Sequence, residues 1–279
     1  MTGVLTCGVD IGSTASKCVV LKDGREILAM AVIPVGAGTS GPARAVAAAL
    51  GNCGKEMSDM ASVCSTGYGR NSLAEADFEV SELSCHAKGA HALFPDVRTL
   101  IDIGGQDVKA MRIGPDGRLL NFVMNDKCAA GTGRFLDVMA RVLEVDVSEL
   151  GARGAKAERE VAISSTCTVF AESEVISHLA NHVAINDIIA GIHRSVASRA
   201  VGLTRRVGVE GLVVMTGGVA RNPGVVGCIE TALGVSIATS PLAQYAGAFG
   251  AAILAFERVR GTPAGTHVPA GTHVIAEKK

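Results

Sequence analysis

The sequence predicts an α/β protein made of two related domains, and three observations carry that expectation. A strand, acid-containing loop, strand, turn, strand pattern opens the chain at Val4 and returns at Arg98. Both copies close their first strand on Asp-Ile-Gly, at 10–12 and 102–104. After Cys128 the chain turns helical, which supplies cover for sheets that could not bury their faces alone.

Val4 to Ile11, Lys17 to Leu21 and Glu26 to Val35 read as three short strands joined by hairpin turns, one of them at Asp23-Gly24. A Ser/Gly/Pro cluster at 36–42 precedes an alanine-rich helix through Leu50, and Ala61 to Ser65 reads as another strand before Thr66-Gly67-Tyr68-Gly69-Arg70. The pattern then repeats: Arg98 to Ile103, Val108 to Ile113, a turn at Pro115-Asp116-Gly117, and Leu119 to Met124. Internal duplication is the natural inference. Phe135, Val138, Met139, Val142 and Leu143 recur at helical spacing, and helices follow Cys167 to about Val207. Leu212 to Met215 reads as the last strand, running into Thr216-Gly217-Gly218-Val219-Ala220 and a helix. The expected domains are 1–96 and 97–260, with the helix at 243–260 able to pack back on the first. Residues 261–279 hold PAGTHV twice, at 263–268 and 269–274, without apolar periodicity, and read as a flexible tail.

Composition narrows the function classes. With 26 basic and 27 acidic residues among 279, the chain offers no broad positive surface, and nucleic acid is not an expected partner. The longest apolar run, Ala246 to Phe256, is far short of the roughly 18 residues of a membrane-spanning helix, so a soluble protein is expected. Met1 leads directly into the first strand with no basic region or cleavage site, which places the expected location in the cytoplasm and keeps the eight cysteines reduced. The 34 glycines exceed the usual ~7% while aromatics are only 3%, a chain built for close backbone approach.

Asp10-Ile11-Gly12-Ser13-Thr14-Ala15-Ser16-Lys17 sets an acid at a strand end, then a glycine and hydroxyls whose backbone N–H groups can cradle phosphate. Alone it is equally an ordinary hairpin. The second such hairpin, Asp102 to Asp107 with Gly104, Gly105 and Gln106, changes the reading, because two of them can grip one magnesium nucleotide. Gly217-Gly218, with Asn222 and Pro223, follows a strand where backbone can lie against a base or ribose. In this order the three elements resemble the two phosphate motifs and the adenosine motif of the actin, Hsp70, sugar kinase and acetate kinase superfamily. That resemblance implies a duplicated ribonuclease-H-like fold closing on ATP.

The cysteines must choose among functions within such a superfamily. Cys128, in Asn125-Asp126-Lys127-Cys128-Ala129-Ala130-Gly131-Thr132-Gly133, precedes a helix, where the helix dipole stabilises a thiolate. Cys167 repeats the arrangement after Ser164-Ser165-Thr166, with Glu172 and Glu174 in the first helical turns. No CxxC occurs, so an intrachain zinc finger or ferredoxin-type cluster is poorly supported, whereas a two-fold axis could gather four thiolates from two subunits. Two buried structural cysteines remain the alternative. Cys7, Cys18, Cys53, Cys64, Cys85 and Cys228 read as structural or surface thiols, and Cys85-His86 as no ligand pair.

Taken together, GVDIGSTASK at 8–17, STGYGRNSL at 65–73, IDIGGQDVK at 101–109, NDKCAAGTGRFLDVMA at 125–140, ISSTCTVFAESEVIS at 163–177, MTGGVARN at 215–222 and SPLAQYAGA at 240–248 resemble the ATP-dependent activators of 2-hydroxyacyl-CoA dehydratases. The resemblance runs from Val4 to about Arg258. It implies an ATPase and a homodimer with one four-iron four-sulfur (4Fe-4S) cluster bound through Cys128 and Cys167, which passes one low-potential electron to a dehydratase component. A ferredoxin or flavodoxin would supply that electron.

On this reading Asp10 and Asp102 face Mg2+. Gly12, Ser13, Thr14, Ala15, Ser16, Lys17, Gly104 and Gly105 meet the phosphates of ATP or ADP, and Gly217, Gly218, Asn222 and Gln244 take the adenosine side. Gln106 orients the attacking water beside Asp107; glutamine suits orienting rather than deprotonating. The rivals are an ATP-binding subunit of a benzoyl-CoA-reductase-type enzyme, a sugar or acyl kinase, and an actin-like filament.

Overall fold

The computed structural model describes residues 3–125, 128–164 and 167–261. Asp126, Lys127, Ser165, Thr166 and the expected tail beyond Gly261 lie outside the described residues. Two compact units divide the chain: Met1–Arg98 with Ile113–Leu120 and Gln244–Lys279, and Thr99–Arg112 with Asn121–Ala243.

In the first unit the opening apolar runs form β1 (Leu5–Ile11), β2 (Ser16–Lys22) and β3 (Glu26–Ile33), paired antiparallel in that order. β4 (Ser62–Thr66) and β5 (Phe78–Glu79) add parallel on the far side of β1, giving the order β3-β2-β1-β4-β5. Alternation along β1 buries both faces. Cys7, Val9 and Ile11 share one apolar cluster with Ala45, Val46, Ala49 and Leu50 of α1 (Gly41–Cys53). Thr6 points the other way and donates to the Ala252 carbonyl of α8 (Ala246–Val259) at 3.0 Å. A Cβ on Gly8 would stand 2.0 Å from the Ala248 carbonyl oxygen, so this strand can meet α8 only with glycine there. The same economy of side chain lets α2 (Glu82–Leu93) lie on α8, since a Cβ on Gly250 would fall 1.9 Å from the Cys85 carbonyl. Gly8 and Gly250 thus let β1 and α2 approach α8 closely.

The second sheet runs β10-β9-β6-β7-β8, built from β6 (Val97–Ile103), β7 (Val108–Ile113), β8 (Leu119–Asn125), β9 (Leu212–Thr216) and β10 (Ile237–Ala238). Counted from each copy's own first strand, both sheets read 3-2-1-4-5, with strands 1 and 2 antiparallel and 4 and 5 parallel. The expected duplication is therefore present in topology, and the fold is the duplicated α/β architecture. Sequence reading ended the strands at Met215 and missed both fifth strands, β5 and β10, which are two residues each.

Helices α3 (Gly133–Val142), α4 (Leu150–Gly154), α5 (Thr168–Ala180), α6 (Ile185–Val207) and α7 (Pro223–Leu233) belong to the second unit. Phe135 and Met139 of α3, at helical spacing, join Ile188, Ile192 and Val196 of α6 and Ile101 and Ile103 of β6 in its core. Among the described residues no helix is long and apolar enough to cross a membrane.

Candidate functional site

The first hairpin is made by register. Asp10 and Lys17 are partners across β1 and β2, and Lys17 Nζ lies 3.0 Å from Asp10 Oδ2. The loop between them closes on itself through the Gly12 N–H to the Ala15 carbonyl at 3.1 Å, leaving Ser13 and Thr14 at its tip. Ser16 is buried and donates its hydroxyl to the Val35 carbonyl. Asp10 is 2% exposed, yet its Oδ1 has no hydrogen-bond partner. Gly67 closes on that oxygen: its φ is +89°, and a Cβ there would sit 2.5 Å from Oδ1. His86 and Asp10 both border Gly247, whose Cβ position is 2.7 Å from His86 Nε2 and 3.2 Å from Asp10 Oδ2. The Cys85-His86 dipeptide therefore divides: Cys85 packs in the core, while His86 Nε2 lies 4.0 Å from Glu82 Oε1 and borders Gly247.

The second hairpin repeats the first. Asp102 and Lys109 are register partners across β6 and β7, 3.5 Å apart from Nζ to Oδ2, and Lys109 also holds Asp107 Oδ2 at 2.7 Å. Thr216 donates to Asp102 Oδ1 at 2.8 Å. Gln106 is exposed at the loop tip. Gly217 carries a φ of +85°, and a Cβ on it would meet the Ile103 carbonyl oxygen at 2.2 Å, so the Gly217-Gly218 turn is pressed onto the Asp102 strand end. Asn222 caps α7 by accepting from the Gly224 and Val225 N–H groups, and its Nδ2 lies 3.2 Å from His193 Nε2. Gln244 sits in a short 3₁₀ turn, Ala243–Tyr245, ahead of α8. The sequence reading passed over Lys109, Thr216 and His193; the seven-residue spacing common to Asp10/Lys17 and Asp102/Lys109 was a signal for the first of them.

Cys167 is the N-cap residue of α5, as expected of a helix-start thiol. Cys128 is not at a helix start: a turn closed by Thr132 N–H and hydroxyl on the Ala129 carbonyl intervenes, and α3 begins at Gly133. Glu174 accepts from the Ser164 backbone N–H rather than from its own helix. Both cysteines are half-buried free thiols. A hydrogen bond from Cys7, with burial, pushes Cys18 well up, Cys64 does the same to Cys85, and burial raises Cys53 and Cys228. Soft thiolates are the donors iron–sulfur clusters take, and Cys128 and Cys167 fit that group by chemistry and access. Asp10, buried with one unpartnered oxygen, fits a hard cation or its bound water.

Residues 7–255 match the BadF/BadG/BcrA/BcrD ATPase family. The chain belongs to this family. It is 61% identical to the (R)-2-hydroxyglutaryl-CoA dehydratase activating ATPase of Acidaminococcus fermentans over 91% of this chain and 98% of that protein. It is 54% identical to the activator of lactoyl-CoA dehydratase of Anaerotignum propionicum, over 90% and 97%. The crystal structure of the 2-hydroxyisocaproyl-CoA dehydratase activator of Clostridium difficile with bound ADPNP matches with a TM-score of 0.90 at 53% identity, covering 92% of this chain and 96% of that one. A ROK family glucokinase from Streptomyces griseus matches at 16% identity and a TM-score of 0.55, covering 90% and 99%, which shows the shared fold alone.

Proposed function

We propose that this chain is an ATP-hydrolysing activator of a 2-hydroxyacyl-CoA dehydratase, delivering one low-potential electron to that component. The observation that carries the reading is the presence of two lysine-clamped acid hairpins and two accessible thiols in a chain 61% identical to a dehydratase-activating ATPase. The first unit would contribute Asp10 to Mg2+ and the Gly12–Lys17 loop to the phosphates. The second would contribute Asp102, Gly104 and Gly105, with Gly217, Gly218 and Asn222 toward adenosine. Lys17 neutralises one oxygen of Asp10 and leaves the other to accept a hydrogen bond from a metal-bound water. Gln106, exposed beside Asp107, would orient the attacking water.

One 4Fe-4S cluster per homodimer, held by Cys128 and Cys167 of each subunit, would store the electron. Val169 and Phe170, 66% and 68% exposed just after Cys167, are apolar surface suited to a second copy at that place. A ferredoxin or flavodoxin would be the electron source. Anaerobic purification with iron, sulfide and mass analysis tests the reading. Roughly four irons and four sulfides per dimer are expected, lost in Cys128→Ala and in Cys167→Ala but kept in Cys53→Ala. Asp10→Ala and Asp102→Ala should abolish magnesium-dependent ATP turnover in a folded dimer. Full iron in either ligand variant overturns the ligation, and normal turnover in both aspartate variants overturns the ATP site.

A further inference from the structure

A cavity of about 610 Å³ opens in the first unit, between β5, α2, the turn after β7 and α8. Its size is that of a small-molecule site. Its walls are apolar at Phe78 and Leu254, and three basic and two acidic side chains complete it: Lys88, Arg118 and Arg258 against Asp116 and Glu257. Glu257 is 2% exposed. Lys88 Nζ lies 2.6 Å from its Oε1, an ion pair made at angles that give no hydrogen bond, and Oε2 has no partner. A buried carboxylate oxygen without a donor has lost its water and gained nothing in exchange, so the position calls for one. Glu257 also lies ten residues along α8 from Gly247, roughly 15 Å, so it belongs to a place distinct from Asp10.

We propose that this cavity binds a small organic carboxylate that has an apolar body and one neutral hydrogen-bond donor. The donor is neutral because Lys88 already balances the charge of Glu257, and a second cation beside it would be repelled. The carboxylate follows from the rim. Arg118 Nε pairs with Asp116 at 3.1 Å, whereas the Arg258 guanidinium lies over the Phe78 ring, 4.3 Å from its centroid, and carries the cavity's surplus positive charge. A guanidinium engaged with an aromatic face through its cation–π contact leaves N–H groups for an oxyanion. Phe78 and Leu254 supply the surface for the apolar body.

Isothermal titration of the whole chain, kept anaerobic and with magnesium-ADP present throughout, tests this with three matched probes. N-acetyl-L-phenylalanine has the carboxylate, the amide N–H and the ring. 3-Phenylpropanoate lacks the N–H, and N-acetyl-L-phenylalaninamide lacks the charge. The first should bind at least about tenfold tighter than either of the others, the worth of one charge-assisted hydrogen bond. Leu254→Trp, which fills the cavity, should abolish binding, and Arg258→Met should remove the preference for the acid over its amide while sparing the preference for the N–H. Absence of binding by N-acetyl-L-phenylalanine, equal affinity for all three probes, or unchanged affinity in a folded Leu254→Trp protein overturns the proposal. Should that variant fail to fold, Arg258→Met decides: an undiminished preference for the acid overturns it.

Discussion

Asn222 donates its side-chain N–H to Nε2 of His193, 3.2 Å away. The direction is fixed by the other end of the amide, whose oxygen already accepts the Gly224 and Val225 N–H groups at 3.0 and 3.3 Å. His193 must therefore be neutral, with its proton on Nδ1. Its environment agrees: burial, with Arg194 adding, pushes the ring down to about 4. A neutral, 2% exposed histidine thus orients the residue expected on the adenosine side.

That neutrality makes stability depend on pH. Between the unfolded value of 6.5 and about 4 the unfolded chain binds a proton that the folded chain refuses. Stability from this group is complete above about pH 6.5 and falls as pH drops, by up to about 3 kcal/mol at pH 4. Urea unfolding across pH 7 to 4.5 should show His193→Gln losing less stability than the parent over that window. Equal losses would clear His193 of the role.

Gly67 guards the unpartnered oxygen of Asp10. An alanine there would both strain a backbone at φ +89° and thrust a methyl to 2.5 Å from Oδ1, whereas Gly38, at φ +74°, has nothing within 4 Å. Gly38→Ala should cost about 1 kcal/mol through the backbone alone. Gly67→Ala should cost more and should also remove magnesium-dependent ATP turnover, measured on protein that circular dichroism shows to be folded. Equal stability losses with turnover intact in both would mean that Oδ1 has room to spare.

Much of this was legible in the sequence, for reasons that differ by element. Six of the ten strands hold seven or eight residues or close a hairpin, long enough for apolar alternation to register. β5 and β10 have two residues each and no pattern to read. The acids of the site announced themselves by repetition, but the lysine opposite each is a matter of strand register, and the tautomer of His193 depends on a cap more than twenty residues away. Cys128 was read as a helix-start residue because small residues follow it; the turn at Ala129–Thr132, held by the Thr132 hydroxyl, is a local hydrogen-bond choice that composition does not reveal.

The two clamping lysines should not be equivalent. The Lys109 side chain is 2% exposed and lies between Asp102 and Asp107, while the Lys17 side chain is 16% exposed and pairs with Asp10. Removing Lys109 takes the cation from two carboxylates, a loss on the order of 3–5 kcal/mol for a broken buried pair. Lys109→Met should accordingly unfold at distinctly lower denaturant than Lys17→Met. A Lys17→Met protein as unstable as Lys109→Met would show that burial does not set the difference.

The Gly104–Gly105 loop is hydrogen-bonded to the start of the helix that follows Cys128. The first two N–H groups of α3, from Gly133 and Arg134, donate to the carbonyls of Gly104 and Gly105 at 2.9 Å each. The helix that follows Cys128 is therefore capped by the Gly104–Gly105 loop, and any shift of that loop must carry the helix start with it or break two hydrogen bonds. Cys128 is joined to that start by only the Ala129–Thr132 turn. Magnesium-ATP or a nonhydrolysable analogue should thus change both the rate at which a chelator strips iron and the reduction potential of the cluster, provided nucleotide binds the two arrangements unequally. Gln106→Ala should keep this binding response while hydrolysing slowly, because Gln106 lies at the loop tip and takes no part in capping α3. Chelation rates and potentials identical with and without nucleotide would sink the coupling even if ATPase activity and a cluster were both present.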